Sequence, residues 1–454
     1  MKIIVKKGLD VPIAGKPEGP VQQLPFPEYL SLNLSAFENL RFRLLVKTGD
    51  RVQIGQPLVE NKASPGQMFT SPAGGVVSEI RRGHKRQLLD IIIQVDTQET
   101  YWEHGTLNPD SATREEIVDL LMRGGIFPHI RQRPFNLVPR PDQIPRDIFV
   151  TALETRPFEP SQEMQIEGNE TYFQSGLKTL TKLTPGKVHL VYGETTACSA
   201  FLQAQGVERH TARGSHPAGS SSVHIHSIAP VRRHDDFVWA LTALDVVAIG
   251  KMILEGRYHT DRIIGIAGEG FVESKRGFYK ARAGCCIKDL IADRNHPQPL
   301  QLIAGDPLTG NRAEREDFLG FHHTCLSAIP ENTTREAFHF LRLGAHKYSA
   351  TRTYLSGHLP PPPDGYPFTT NQHGEERAFI DPAVYDQVMP MRIPTVFLIK
   401  ALLSEDFELA DQLGLLEVVP EDFALPTFIC PSKIEMMDIV RQGLHRYAQE
   451  MGQF

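Results

Sequence analysis

Apolar positions in the first hundred residues fall in short runs separated by glycine-centred turns, and one pattern occurs there twice. Val46–Glu60 places a strand, a Gly49-Asp50 turn, Val52 and Ile54, a Gly55-Gln56 turn, then Leu58-Val59; Met68–Ile80 gives a strand, a Pro72–Gly75 turn, Val76-Val77 and Ile80. Such turns need positive φ, which glycine adopts without a Cβ penalty. Short strands between frequent turns predict a small sandwiched or closed β-unit, which ends in the strand Leu88–Val95. A helix is expected from Thr113, where Thr113 and Glu116 form a capping-box pair and Gly124-Gly125 stops it. From Arg146 the period alternates: strand Asp147–Leu153, helix Thr171–Leu183, strand Lys187–Val191, helix Asp236–Glu255, strand Arg262–Ala267. That alternation predicts an α/β layer with partly parallel strands.

Beyond Gly268 the segments shorten, with Phe278–Lys280, a Gly284 turn, a helix Ile287–Ala292 and a strand Gln301–Ala304 suggesting a β-grasp-like module. The run His358–Pro367 is too proline-rich for helix. The last 120 residues read as helical, with capping boxes at Thr333–Glu336 and Ser432–Glu435 and helix ends at Gly344 and Gly414. The expected class is a multidomain α+β and α/β protein. Its divisions are 1–100 as barrel-sandwich hybrid, 101–258 as Rossmann-like α/β, 259–330 as β-grasp (SLBB-like) and 331–454 as mainly helical.

Composition narrows the function classes. The chain has 454 residues, 41% apolar and 22% charged, and a net charge of −6 with both signs scattered. Nucleic-acid binding therefore has no electrostatic footprint. Five cysteines without framework spacing fit a reducing compartment. The most apolar window, Phe237–Leu254, contains Asp245 and Lys251. Each would cost roughly 2.5–3.5 kcal/mol at a bilayer centre, so a buried helix ending at Gly256 is expected and membrane association is left to a partner or a surface patch.

The chemical candidates are few. The N-terminal pattern resembles the barrel-sandwich hybrid of biotinyl and lipoyl carriers, and Lys62 in Glu60–Ser64 resembles their modified lysine; an unmodified loop lysine is expected. Gly265–Gly270 reverses the dinucleotide fingerprint, and Glu269 would repel phosphate, so a turn is the better reading. His224 and His226, read on a strand, would share one face and suit a metal, but only His216 is close in sequence as a third ligand. A pocket lining, or structural histidines, covers these and the His322-His323 pair. Cluster-binding cysteine spacing is absent. Arg131, Arg133, Arg140 and Arg156, around two Arg-Pro-Phe turns, suggest an anion-facing rim or a subunit contact.

The segments IIVKKGLDVPIAGKP, FTSPAGGVVSEIRRGHKR, IRQRPFNLVP, FVTALETRPFEP, GSHPAGSSSVHIHSIAPV, DVVAIGKMILEGRYHTDRIIGIAG, TRTYLSGH and FICPSKIE carry a resemblance over nearly the whole length. The chain resembles the A-type component of bacterial sodium-translocating NADH:quinone reductases (Na⁺-NQR). It is also similar to the C-type component of Rnf electron-transport complexes and to the NADH- and flavin-binding subunit of respiratory complex I. It departs from the flavin-binding relatives after Gly124-Gly125, where Ile126 and Phe127 would obstruct a phosphate cradle, and it lacks their cluster cysteines.

The resemblance implies a peripheral subunit at the cytoplasmic face of the bacterial inner membrane, without autonomous activity and binding no cofactor itself. The complex would use NADH, FAD, FMN, riboflavin, an iron–sulfur centre, ubiquinone and Na⁺. The implied partners are the other subunits, chiefly a membrane-embedded flavin-carrying one. Arg131, Arg133, His216, His224 and His226 are the candidates for hydrogen-bonding ubiquinone oxygens, and no metal site or catalytic residue is expected. The rival readings are a stand-alone flavin- or NADH-binding oxidoreductase with a diverged site, and a carrier modified at Lys62.

Overall fold

Alternation in the N-terminal strands closes a sandwich. In this computed structural model, which describes residues 1–333, 338 and 341–453, the antiparallel strands Tyr29–Asn33, Leu88–Val95, Gly75–Arg82 and Arg51–Val52 form one sheet, and Phe42–Leu44, Pro57–Asn61 and Met68–Thr70 the other. Leu30, Leu32, Leu58, Phe69, Val77, Ile91 and Ile93 fill the space between them. Gly49 and Gly55 make the turns at φ of +93° and +83°. Lys62 lies exposed in the turn that joins Pro57–Asn61 to Met68–Thr70, its backbone N–H donating to the Arg41 carbonyl.

The central sheet is α/β. Glu208–Arg213, Val188–Gly193, Asp147–Ala152 and Val238–Thr242 lie side by side and parallel. Lys2–Ile4 joins one edge in parallel and Arg131–Arg133 the other edge antiparallel. Strand alternation sends Ile148, Val150, Leu190 and Leu241 to a face covered by the helices Arg114–Arg123, Glu170–Leu180 and Ala243–Glu255. Phe149, Val191, Val238 and Ala240 meet the C-terminal helices, including Thr395–Leu403 and Met436–Glu450, on the other face. Two of the covering helices approach through glycine. A Cβ on Gly176 would stand 2.1 Å from the Val246 carbonyl oxygen, and one on Gly250 1.8 Å from that of Tyr172.

Asp261–Ala267, Gly277–Arg282, Leu300–Ala304, Asn311–Ala313 and Cys325–Pro330 form a fourth sheet, with Gln22–Gln23 added at its edge. Ile264, Ile266, Tyr279 and Leu326 of this sheet share one core with the sandwich. The first twenty-three residues thus stitch the sandwich to both other sheets.

Several elements differ from the sequence reading. Asp236–Glu255 is not one helix: Val238–Thr242 is a central strand, and the Thr242–Asp245 capping box starts the helix at Ala243. The aromatic and β-branched run fits the pleated interior better than a helical turn. No helix among the described residues is long and apolar enough to cross a membrane. His224 and His226 lie on the helix Ser221–Ile228, not on a strand, because the Ser220 side chain caps it by accepting from the Ser222 N–H. Ser432 caps nothing; its hydroxyl donates to the Ala378 carbonyl, while the Met436 N–H donates to Thr427 Oγ1. Turns dominate the described residues from 341 to 382, and the regular C-terminal helices begin at Ala383. The expected Thr333–Glu336 box lies outside the described residues, whereas the Thr113–Glu116 box forms as read.

Candidate functional site at the carboxyl ends of the parallel strands

In open parallel sheets, ligands bind beyond the carboxyl ends of the strands where the strand order reverses. Here the chain moves outward from Asp147–Ala152 to Val188–Gly193 and Glu208–Arg213, then returns to Val238–Thr242 on the other side. The reversal therefore lies between Asp147–Ala152 and Val238–Thr242, and the segments that follow the parallel strands carry three polar clusters.

The first follows Ala152. The Glu154 carboxylate accepts from the backbone N–H groups of Thr155 and Arg156, each at 2.9 Å, and from Arg156 Nε and Nη2 at 3.0 and 2.6 Å. Arg156 Nη1 also stands 3.8 Å from both Glu159 and Asp306. The Glu159 and Asp306 side chains are only 2% and 1% exposed, so this guanidinium is the cation three enclosed carboxylates share. Burial pushes Glu159 up to about 7, against the pull of Arg156, and Glu159 also accepts from the Thr324 hydroxyl. Thr155 Oγ1 accepts from the Gly219 N–H at 3.0 Å and donates to His216 Nδ1 at 3.1 Å. Burial lowers the His216 pKa, which favours the neutral ring that accepts this bond.

A second cluster lies under the helix Ser221–Ile228. His224 Nε2 donates to the Ala218 carbonyl at 2.8 Å, leaving Nδ1 to accept from Thr151 Oγ1 at 3.4 Å; burial holds its pKa down at about 4. Arg133 donates to Ser221 and Ser222 hydroxyls at 3.0 and 3.2 Å. Opposite it, burial raises the Asp422 carboxyl, which accepts from Ser220 Oγ and the Val419 N–H.

The third cluster surrounds the start of the helix Ala243–Glu255. His129 Nδ1 lies 2.9 Å from Asp245 Oδ1, and its Nε2 lies 3.4 Å from the Tyr258 hydroxyl. Phe321 and His322 pack on the His129 ring at 4.8 and 6.4 Å between centroids. Burial lowers the His129 and His322 pKa values. In the flavin-binding relatives of the sequence reading, a glycine-rich loop cradles phosphate. Here Gly125 turns at φ +72° against the sandwich, where a Cβ would sit 2.4 Å from Thr70 Oγ1, and Ile126 and Phe127 are wholly buried.

The five residues expected to face quinone are thus spread over four environments. His216 joins the Glu154 cluster, and His224 and Arg133 the second one. Arg131 places its guanidinium over the Phe37 ring at 5.3 Å. His226, two residues from His224 on a helix and so on nearly the opposite face, lines a cleft of about 710 Å³ with Lys2, Arg232 and Arg392. Its Nδ1 lies 2.6 Å from Glu417, and its Nε2 accepts from the Arg392 N–H at 3.4 Å. Arg140 pairs with Asp142 at the surface. Among the described residues, no group of three or more His, Cys, Asp or Glu is arranged to hold a metal. Sequence reading missed Glu154, Glu159, Asp306, His129 and Asp245. Three charged residues within six positions after a strand, Glu154, Arg156 and Glu159, were the available signal.

Family models bear on this architecture. One described as the NqrA N-terminal barrel-sandwich hybrid domain matches residues 3–96, and one described as the NqrA second alpha/beta domain matches 112–258. Curated relatives, each named as the A-type component of the Na(+)-translocating NADH-quinone reductase, are similar end to end. That of Chlamydia caviae is 39% identical over 100% of this chain and 98% of its own length. That of Chlamydia pneumoniae has the same identity and coverage, and that of Tolumonas auensis is 35% identical over 99% of this chain and 100% of its own. With two of its structural units matched and its full length shared at such identity, the chain belongs to the NqrA family, the A-type components of Na(+)-translocating NADH-quinone reductases.

Proposed function

We propose that this chain is a peripheral subunit at the cytoplasmic face of a sodium-translocating NADH:ubiquinone reductase, that it carries no redox centre of its own, and that it supports assembly and quinone access. The observation that carries the reading is the end-to-end likeness to relatives named as the A-type component of such reductases. Two features of the site favour a part without its own electron carrier. Gly125 is turned onto Thr70 instead of onto a phosphate. Three of the five cysteines have separate partners: Cys285 Sγ donates to the Arg282 carbonyl, Cys325 meets Ser327, and Cys430 meets Tyr385.

For quinone access the candidates are Arg131, Arg133, His216, His224 and His226. His226 has the best claim, because its cleft also offers the Arg232 and Arg392 side chains. The membrane-embedded flavin-carrying subunit is the partner proposed.

A tag on this chain, followed by detergent extraction, tests the assignment. The expected result is co-purification of membrane subunits with NADH-driven ubiquinone reduction. Recovery of the chain alone, with one flavin per molecule, overturns it and favours the stand-alone oxidoreductase. A photoreactive ubiquinone analogue tests the second part; labelling confined to other subunits removes quinone access from this chain.

A further inference from the structure

Lys2–Ile4 is an edge strand of the central sheet, paired in parallel with Thr211–Arg213 on one side alone. The Thr211 N–H donates to the Met1 carbonyl and the Val5 N–H to the Arg213 carbonyl, so Met1, Ile3 and Val5 turn their main-chain groups toward the sheet. Parallel pairing then directs the N–H and C=O groups of Lys2 and Ile4 outward. Among the described residues, no backbone group bonds to them there. The opposite edge is treated differently. The Gln132 N–H donates to the Leu137 carbonyl at 2.7 Å and the Leu137 N–H donates back at 3.1 Å, so the chain folds over Arg131–Arg133. Sheets commonly cover their edges against stray pairing, and this one covers one edge and leaves the other open.

The open edge borders a cleft. Met1, Lys2, Ile3 and Ile4 all line the space of about 710 Å³ that His226 also lines. Most charges in it are already engaged: Lys2 by Glu194, Glu417 by His226, and Asp411 by the Tyr447 hydroxyl. Arg232 and Arg392 are the exceptions. Among the described residues, neither guanidinium has a hydrogen-bond or ion-pair partner; Arg392 is held only through its backbone N–H, which donates to His226. The uncommitted side-chain charge of the cleft is therefore positive.

We propose that the outer edge of Lys2–Ile4 takes an extended acidic segment of a partner protein as an added strand. In docking of this kind main-chain hydrogen bonds give affinity, and recesses for alternate side chains give specificity. Lys2 and Ile4 supply the donors and acceptors, and the cleft supplies the recess. Carboxylates match the planar fork of a guanidinium. A small anion would answer Arg232 and Arg392 but leave the strand edge unpaired, whereas an extended acidic segment satisfies both. The inference rests neither on the subunit role nor on quinone access. A chain that co-purifies with the reductase but ignores the peptide below overturns only this proposal, and one that binds the peptide without co-purifying overturns only the subunit role.

Fluorescence polarisation of the full-length chain with a labelled peptide of alternating valine and glutamate is the test. The expected result is saturable binding that falls with added salt and is at least about tenfold weaker for the valine–lysine counterpart. The same acidic peptide N-methylated at every residue has no main-chain donors and should bind at least about tenfold more weakly. Ile4→Pro removes an outward N–H and no ladder bond, so it should weaken binding about fivefold or more with unchanged thermal melting. Arg232→Glu with Arg392→Glu should reverse the preference toward the lysine peptide. No binding, equal binding of both peptides, or an N-methylated peptide that binds as well as its parent overturns the proposal. A concentration-dependent dimer that Ile4→Pro abolishes assigns the edge to a second copy of the chain. Inorganic phosphate that binds where neither peptide does assigns the arginines to a small anion. Either outcome overturns the proposal.

Discussion

Arg156 grips Glu154 through two nitrogens at 3.0 and 2.6 Å while its third reaches 3.8 Å toward both Glu159 and Asp306. One planar guanidinium can serve several carboxylates at once, which a lysine ammonium on a flexible stem cannot do with the same geometry. Removing one partner from a buried charge set is far more costly than surface ion-pair loss. Arg156→Met should therefore cost about 3–5 kcal/mol in chemical denaturation, and Arg156→Lys should recover only part of it. Equal stability of Arg156→Met and wild type would show that the carboxylates have another partner.

Glu159 sets a pH signature. Its folded pKa, pushed up to about 7 by burial, lies above the ordinary value of 4.5. The folded state thus holds this proton more tightly than the unfolded chain, and its favourable contribution is complete below about 4.5. That contribution is lost as pH rises toward 7. Glu159→Gln keeps a neutral side chain throughout, so its stability relative to wild type should climb between about pH 4.5 and 7 and level off above. Parallel stability curves over that range would exclude an elevated Glu159.

Two glycines separate backbone cost from contact cost. Gly49 and Gly125 both have positive φ, but nothing lies within 4 Å of a Cβ at Gly49, whereas one at Gly125 meets Thr70 Oγ1 at 2.4 Å. Gly49→Ala should lose about 1 kcal/mol from the backbone alone. Gly125→Ala should lose clearly more, since the sandwich must move off the α/β unit. Thermal melts of the two variants check the difference, and equal losses would show that the junction yields freely.

Thiol access should be sharply graded. Cys285, Cys286, Cys325 and Cys430 are buried and Cys198 is half-buried. Burial raises the Cys285 thiol to about 11 and holds the Cys325 thiol well above its ordinary value. A thiolate is the reactive form. Ellman titration of the native chain should count one reactive thiol, with the other four appearing only in denaturant. Two or more fast thiols would mean that a buried site opens readily.

What the sequence revealed depended on how local the signal was. The Thr113–Glu116 cap and the strand Leu88–Val95 are written in adjacent residues, and both formed as read. Val238–Thr242 was hidden because Trp239 and Leu241 also satisfy a helical face, and only burial inside a parallel sheet selects the strand. His224 and His226 misled for the opposite reason: the alternating apolar pattern around them yields to the Ser220 cap. The charged cluster is drawn from positions 154, 156, 159, 216 and 306, so only Glu154, Arg156 and Glu159 could be seen as neighbours beforehand. The sandwich, with its glycine turns, was the most legible part, since each turn fixes its own strands.

The parallel pairing of Lys2–Ile4 with Thr211–Arg213 sets an order on biosynthesis. Lys2–Ile4 have no sheet partner until the chain more than two hundred positions later has emerged. During that interval Ile3, buried at the end, must stay uncommitted in the nascent chain. An amino-terminal fusion that anchors those few residues elsewhere would leave the edge beside Glu208–Arg213 open to a neighbouring molecule's strand, making aggregation during expression the first symptom of a badly placed tag.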